Sequence, residues 1–271
     1  MLITVGVVAI VAALVVLKAP RSAGAPSRMA SVPTATMPLA PDSVAGATPN
    51  LAPPRGKDIP PIGDFVYLFD VSGSIKRASA GGAFDDGLKL LMPMFFAIKG
   101  LDELTPERHR VATIGAMSLH REPLCDIYVA QRNLFTMTDT MAPVRAMGAC
   151  LDSLRAAPAE PYTDINGALL YAALSLRGDR PAVRGAILVT DLDEDRAPGT
   201  TPATPDLHGL CIDAYMLVTT ETAMNPALLQ TRQVEWERRL TMWGARKVRI
   251  QNALSFDAGD LQRFFRTCEG Q

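Results

Sequence analysis

The sequence predicts an α/β fold, a doubly wound and mostly parallel sheet with helices on both faces, preceded by an N-terminal transmembrane helix. Three observations predict it. Short apolar runs alternate with segments of helical period from about residue 62 to the end. Two of those runs, 65–70 (FVYLFD) and 186–191 (AILVTD), are apolar up to a terminal aspartate, the pattern of strands covered on both faces. Both are followed by polar loops, so the chemistry collects where the strands end.

In chain order, the first strand spans residues 65–70, set off by Pro60, Pro61 and Gly63 and followed by a Ser-Gly turn. A helix covers 83–98. Strands follow at 111–117 and, after a tight connection, 125–130. Helices are expected over 139–156 and 164–176, the clearest central strand over 186–191 and another strand over 210–218. The chain closes with a helix at 226–243, a strand at 247–253 and a helix at 258–268. Residues 62–271 thus form one domain, within the size of a single α/β core.

Ahead of it, residues 2–17 (LITVGVVAIVAALVVL) carry no charge and end at Lys18 and Arg21. As a helix this run is about 24 Å long, enough to reach across most of a bilayer with snorkelling flanks. Residues 1–18 therefore read as an uncleaved anchor. A signal peptide is the competing reading, but its start lacks Lys and Arg, and Pro26 follows the small-residue site Ala23-Gly24-Ala25. Residues 19–61 are rich in Pro, Ala, Ser and Thr and form a spacer. Lys18, Arg21 and Arg28 favour a cytoplasmic domain by the positive-inside rule, whereas such spacers favour export. The reading adopted is a single-pass protein of a bacterial inner membrane with its domain in the periplasm.

With 27 basic and 28 acidic side chains, the formal net charge of −1 supplies no field for a polyanion, so nucleic acid is excluded as a default partner. Cys125, Cys150, Cys211 and Cys268 form no C-x-x-C pair, which argues against zinc and thioredoxin-type chemistry. They are buried thiols or, in an oxidising compartment, one or two disulfides in any of three pairings.

Oxygen ligands gather at the strand ends. Asp70, Ser72 and Ser74 follow the first strand in a D-x-S-x-S pattern, Thr163 precedes a helix start in YTDINGAL, and Asp191 closes the central strand. In a doubly wound sheet such loops meet outside the carboxyl ends of the strands. Hard oxygens with few charges suit Mg²⁺, or Ca²⁺ or Mn²⁺.

These three parts, in this order, resemble the von Willebrand factor A (VWA) domain with its metal-ion-dependent adhesion site, over about residues 63–268. The resemblance implies that Ser72, Ser74 and Thr163 supply hydroxyl oxygens and that Asp70 and Asp191 hold the ion directly or through water. It also implies protein–protein interaction, with an acidic side chain of the partner completing the coordination. The chain departs from the family where Leu192-Asp193-Glu194-Asp195 replaces a frequent glycine and where Pro161-Tyr162 replaces glycines before the threonine. The added acids read as a solvated loop or an outer layer of charge, and they repel an incoming carboxylate.

The run 197–209 is long for a connection and reads as a partner-contact loop or a plain insertion. His109, His120 and His208 share no ligand spacing and are expected in loops. Trp236, Leu240 and Trp243 form a core stripe, with Arg232, Glu235, Arg238 and Arg239 on the solvated remainder of the helix. Met92, Met94, Phe95 and Phe96 read as packing. No G-x-S-x-G or Walker motif occurs, and Ser72 has no identifiable base, so no enzymatic activity is expected. The alternative function is a docking subunit of a larger membrane complex (secretion, respiratory or photosynthetic) in which the metal is incidental or absent.

Overall fold

The computed structural model describes residues 63–76, 82–99, 106–130, 139–177, 183–201 and 204–268. All belong to one compact unit within Ala47–Gln271. The expected anchor at 2–17 and spacer at 19–61 lie outside the described residues. Among the described residues no helix is long and apolar enough to cross a membrane.

Six strands form one sheet: β1 (Gly63–Asp70), β2 (Glu107–Ile114), β3 (Cys125–Val129), β4 (Val183–Thr190), β5 (Cys211–Met216) and β6 (Lys247–Asn252), ordered β3-β2-β1-β4-β5-β6. All neighbours are parallel except β2 and β3. The antiparallel edge follows from the short 115–124 connection, which lacks the crossover helix that a parallel return requires. The order reverses direction between β1 and β4, which makes the crevice at their carboxyl ends the switch point of a doubly wound sheet.

β1 is buried along its whole length because both faces are covered. Phe65, Tyr67 and Phe69 pack towards α2 (Ala83–Lys99), α3 (Ala142–Ala156) and α7 (Ala258–Arg266). Val66 and Leu68 pack towards α4 (Ile165–Ser175) and α6 (Pro226–Met242). Each apolar side chain so buried contributes about 1.5–3 kcal/mol. Two short helices that the sequence pattern did not announce, α1 (Gly73–Lys76) and α5 (Thr220–Met224), complete the set. α5 is held by a reciprocal capping box between Thr219 and Thr222.

Three expectations are corrected. β2 begins at Glu107, four residues before the apolar run, because each polar side chain of ERHR finds a partner: Glu107, His109 and Arg110 are buried, and half-exposed Arg108 pairs with Asp126. His109, expected in a loop, sits in this strand with its ring fully buried. Its Nδ1 lies 3.0 Å from the Tyr67 hydroxyl and its Nε2 3.1 Å from Glu107 Oε2. Arg110 pairs with Asp64 and donates to the Ser175 carbonyl at 2.6 Å, closing the end of α4. Phe96 is not core. It faces outward from α2 while Met94, Phe95 and Ile98 take the inner face.

All four cysteines are paired, Cys125 with Cys150 and Cys211 with Cys268. Each bridge ties a strand in one half of the sheet to the helix or helix end that covers the same face.

Candidate metal site at the carboxyl end of the sheet

Asp70 ends β1, and β4 ends at Thr190, so Asp191 stands beside it at the switch point. Asp70 is 1% exposed and Asp191 2%; Ser72 and Thr163 are buried to nearly the same degree, while Ser74 is exposed. Asp70 Oδ1 accepts from the Ser72 amide at 2.8 Å, and its Oδ2 accepts from the Thr190 hydroxyl at 2.7 Å. The Ser72 and Ser74 hydroxyls lie 2.9 Å apart. Asp191 Oδ1 accepts from the Asp193 amide at 3.1 Å.

Thr163 joins the group through the backbone. Glu160 exchanges bonds with the β1 loop: its amide donates to Val71 at 2.9 Å and its carbonyl accepts from Gly73 at 2.7 Å. Thr163 does the same with the β4 loop, pairing with Asp195 at 2.5 and 3.1 Å. Segment 160–163 therefore laces the loops of the two central strands together. Asp164 then caps α4, accepting from Gly167 at 2.8 Å.

Burial raises both acids. Asp191 is pushed up to about 7, first by loss of solvent and then by the charge of Asp70. Asp70 is raised by burial, against hydrogen bonds from Ser72 and Thr190 that pull it down. Two buried carboxylates, one raised by the charge of the other and flanked by hydroxyls, fit a small hard cation: every donor is oxygen, and a positive charge offsets the burial of both. Among the described residues no three His, Cys, Asp or Glu side chains converge on a ligand position, so this donor set depends on its hydroxyls.

The acidic run after β4 is not the free negative loop that the sequence suggests. Asp193 pairs with Arg232 at 2.7 Å and Glu194 with Arg239 at 3.0 Å. Glu194 also accepts from the Asn166 amide at 3.0 Å, at the start of α4. Trp236, one turn along α6 from Arg232, donates its Nε1–H to the Leu192 carbonyl at 2.9 Å. Arg239 lies 4.0 Å from the Trp236 ring centroid. The face of α6 expected to be solvated thus returns two arginines to the site, because the paired carboxylates are nearer than solvent. Leu192, buried, is held with φ of 59°, a left-handed conformation uncommon for leucine.

Of the five residues named from sequence, Asp70, Ser72, Ser74 and Asp191 meet directly or through charge, and Thr163 is laced to the β4 loop through Asp195. Thr190 and Arg232 also reach the two acids and are not among the five. Thr190 lies beside Asp191 in the AILVTD run; Arg232 is 41 residues from Asp191 and has no local sequence signal. His120 occupies a 3-10 turn, Ser118–His120, past the end of β2, and exposed His208 bridges to Ala245.

Comparison with protein-family models found no match, and comparison with curated proteins found none. Among solved structures, the chain is similar to an aerotolerance-related membrane protein from Bacteroides fragilis at 11% identity, covering 76% of this chain and 97% of that one, with a TM-score of 0.43. It is also similar to a von Willebrand factor type A protein from Catenulispora acidiphila, at 16% identity over 76% of this chain and 42% of the other, with a TM-score of 0.38. The PilB minor pilin from Streptococcus sanguinis follows at 13% identity over 78% and 61%, with a TM-score of 0.42. The chain spans less than two thirds of the last two proteins. The strand order, and not these likenesses, establishes the doubly wound fold.

Proposed function

We propose that the chain is a membrane-anchored, VWA-like interaction module without enzymatic activity, whose site at the switch point holds a divalent cation, Mg²⁺ first, and captures an acidic group of a protein partner. The observation that carries this reading is the buried pair Asp70 and Asp191, both raised by burial and Asp191 further by the charge of Asp70, with the Ser72, Ser74 and Thr190 hydroxyls beside Asp70. Ser72, Ser74 and Thr163 would supply hydroxyl oxygens, and Asp70 and Asp191 would bind directly or through water. When bound, the cation supplies an electrophilic position for an outside carboxylate. The protein's own contribution is rigidity: Thr190 orients Asp70, and Glu160 and Thr163 hold the two loops in register. Pairing of Asp193 and Glu194 with arginines lowers the repulsion that an acidic partner would meet.

Two disulfides support an oxidising compartment, and so a periplasmic domain behind the anchor at residues 2–17. A second reading, a docking subunit of a larger membrane complex with the metal incidental, is favoured by one observation: Arg232 already places a positive charge 3.9 Å from Asp191.

Affinity purification of the full chain from solubilised membranes separates the two. With Mg²⁺ present the partner is retained, and EDTA or Asp70→Ala releases it. Retention after both treatments overturns the metal-dependent reading and leaves the docking one.

A further inference from the structure

Arg232 occupies an unusual place for a helix-surface arginine. Its side chain is only 13% exposed, and three carboxylates share it. Nη2 lies 2.7 Å from Asp193 and 3.4 Å from Glu221, while Nη1 turns inward, 3.4 Å from the Asp191 carbonyl and 3.9 Å from its Oδ2. A guanidinium serving only to fasten α6 to the loop would be satisfied by the two outer acids. The inward nitrogen instead lies against Asp191, at both its carbonyl and its carboxylate.

We propose that Arg232 is a resident counter-charge of the site, balancing Asp191 when no divalent cation is bound and weakening cation binding by competing for that same carboxylate. This rests on the cation-binding reading above.

The physical case is one of sign and distance. Two like charges near one carboxylate repel, and a partly buried pair is screened far less than a surface one. The guanidinium cannot lose its proton to escape, so its opposition is constant across pH. It is also held from outside. Asp193 and Glu221 draw Nη2 away, and the next turns of α6 are fastened by Trp236 to Leu192 and by Arg239 to Glu194. Arg232 therefore remains within reach of Asp191 without forming a close ion pair with it. The geometry gives a site that is stable when empty and binds its cation only moderately, which makes occupancy responsive to cation concentration.

The consequence has opposite signs in two measurements, which a purely structural arginine does not produce. In the full chain, Arg232→Gln is expected to tighten Mn²⁺ binding about ten-fold, read from free Mn²⁺ by EPR. In EDTA the same variant is expected to unfold about 2–4 °C earlier. Arg232→Lys keeps the charge and is expected to stay within about three-fold of the wild-type Mn²⁺ affinity. If the wild type binds Mn²⁺ and Arg232→Gln binds it equally or more weakly, Arg232 is a structural anchor and the proposal fails while the cation site stands. If neither protein binds Mn²⁺, the cation site itself fails and takes the proposal with it. Should Arg232→Gln not fold, Arg232→Met, which keeps the aliphatic stem over α6, is measured in the same two ways, with tighter Mn²⁺ binding supporting the proposal and equal or weaker binding overturning it.

Discussion

Thr190 donates its hydroxyl to Asp70 Oδ2 at 2.7 Å, joining the last residues of the two central strands across the switch point. The bond fixes the aspartate that the β1 loop presents, and the same hydroxyl accepts from the Leu192 amide at 3.1 Å. One side chain therefore sets the start of both loops. Thr190→Val, which keeps the shape and removes the hydroxyl, is expected to destabilise the domain by about 1–3 kcal/mol in denaturant titration, because a buried carboxylate oxygen and an amide lose their partner. Thr190→Ser is expected to recover most of that loss.

Asp191 makes the cation-free protein sensitive to pH. Its carboxyl titrates at about 7 in the folded chain against 3.8 as its ordinary value. The folded state therefore holds a proton that the unfolded chain has released, and the stability linked to this group is complete below about 4 and is lost as pH rises through about 7. In EDTA, thermal midpoints are expected to fall between those pH values. Asp191→Asn is expected to flatten that slope, and Mg²⁺ to raise the midpoint most at the alkaline end.

Trp236 holds Leu192 in its left-handed conformation by a bond to the carbonyl at 2.9 Å. Trp236→Phe keeps an aromatic ring but loses the N–H, and is expected to cost about 1–3 kcal/mol. Hydrogen exchange is the direct check: faster exchange is expected at residues 192–195 and little change in β1.

The disulfides constrain the two halves of the sheet separately. The Cys211–Cys268 loop spans 57 residues and Cys125–Cys150 spans 25, so chain entropy assigns about 4 and about 3.5 kcal/mol respectively. Serine pairs at either bridge are expected to lose stability in that order. Thiol titration of the denatured, unreduced protein is expected to find no free cysteine, and four free thiols would place the domain in a reducing compartment.

Tyr67→Phe tests the buried β1–β2 network. Its hydroxyl is the partner of His109 Nδ1 at 3.0 Å, and its removal leaves a fully buried ring nitrogen unpaired. A loss of about 1–3 kcal/mol is expected, with the cation site unchanged.

The alternation of strand and helix, and with it the doubly wound sheet, is legible in the order of apolar and polar residues alone. Apolar runs such as Phe65–Phe69 leave few ways to be buried on both faces, and the placement of Asp70 at the end of β1 and Asp191 just past β4 was legible because motif spacing is local. The sequence did not reveal the start of β2, whose charges at Glu107, Arg108 and Arg110 hide a strand until Asp64, Asp126 and His109 are known to pair with them. Only the tertiary structure paired the cysteines and brought Arg232 and Arg239 from α6 onto the acidic loop. Those outcomes depend on charges and thiols far apart in the chain, and hydropathy and short-range spacing carry no record of which distant partner removes each one from water.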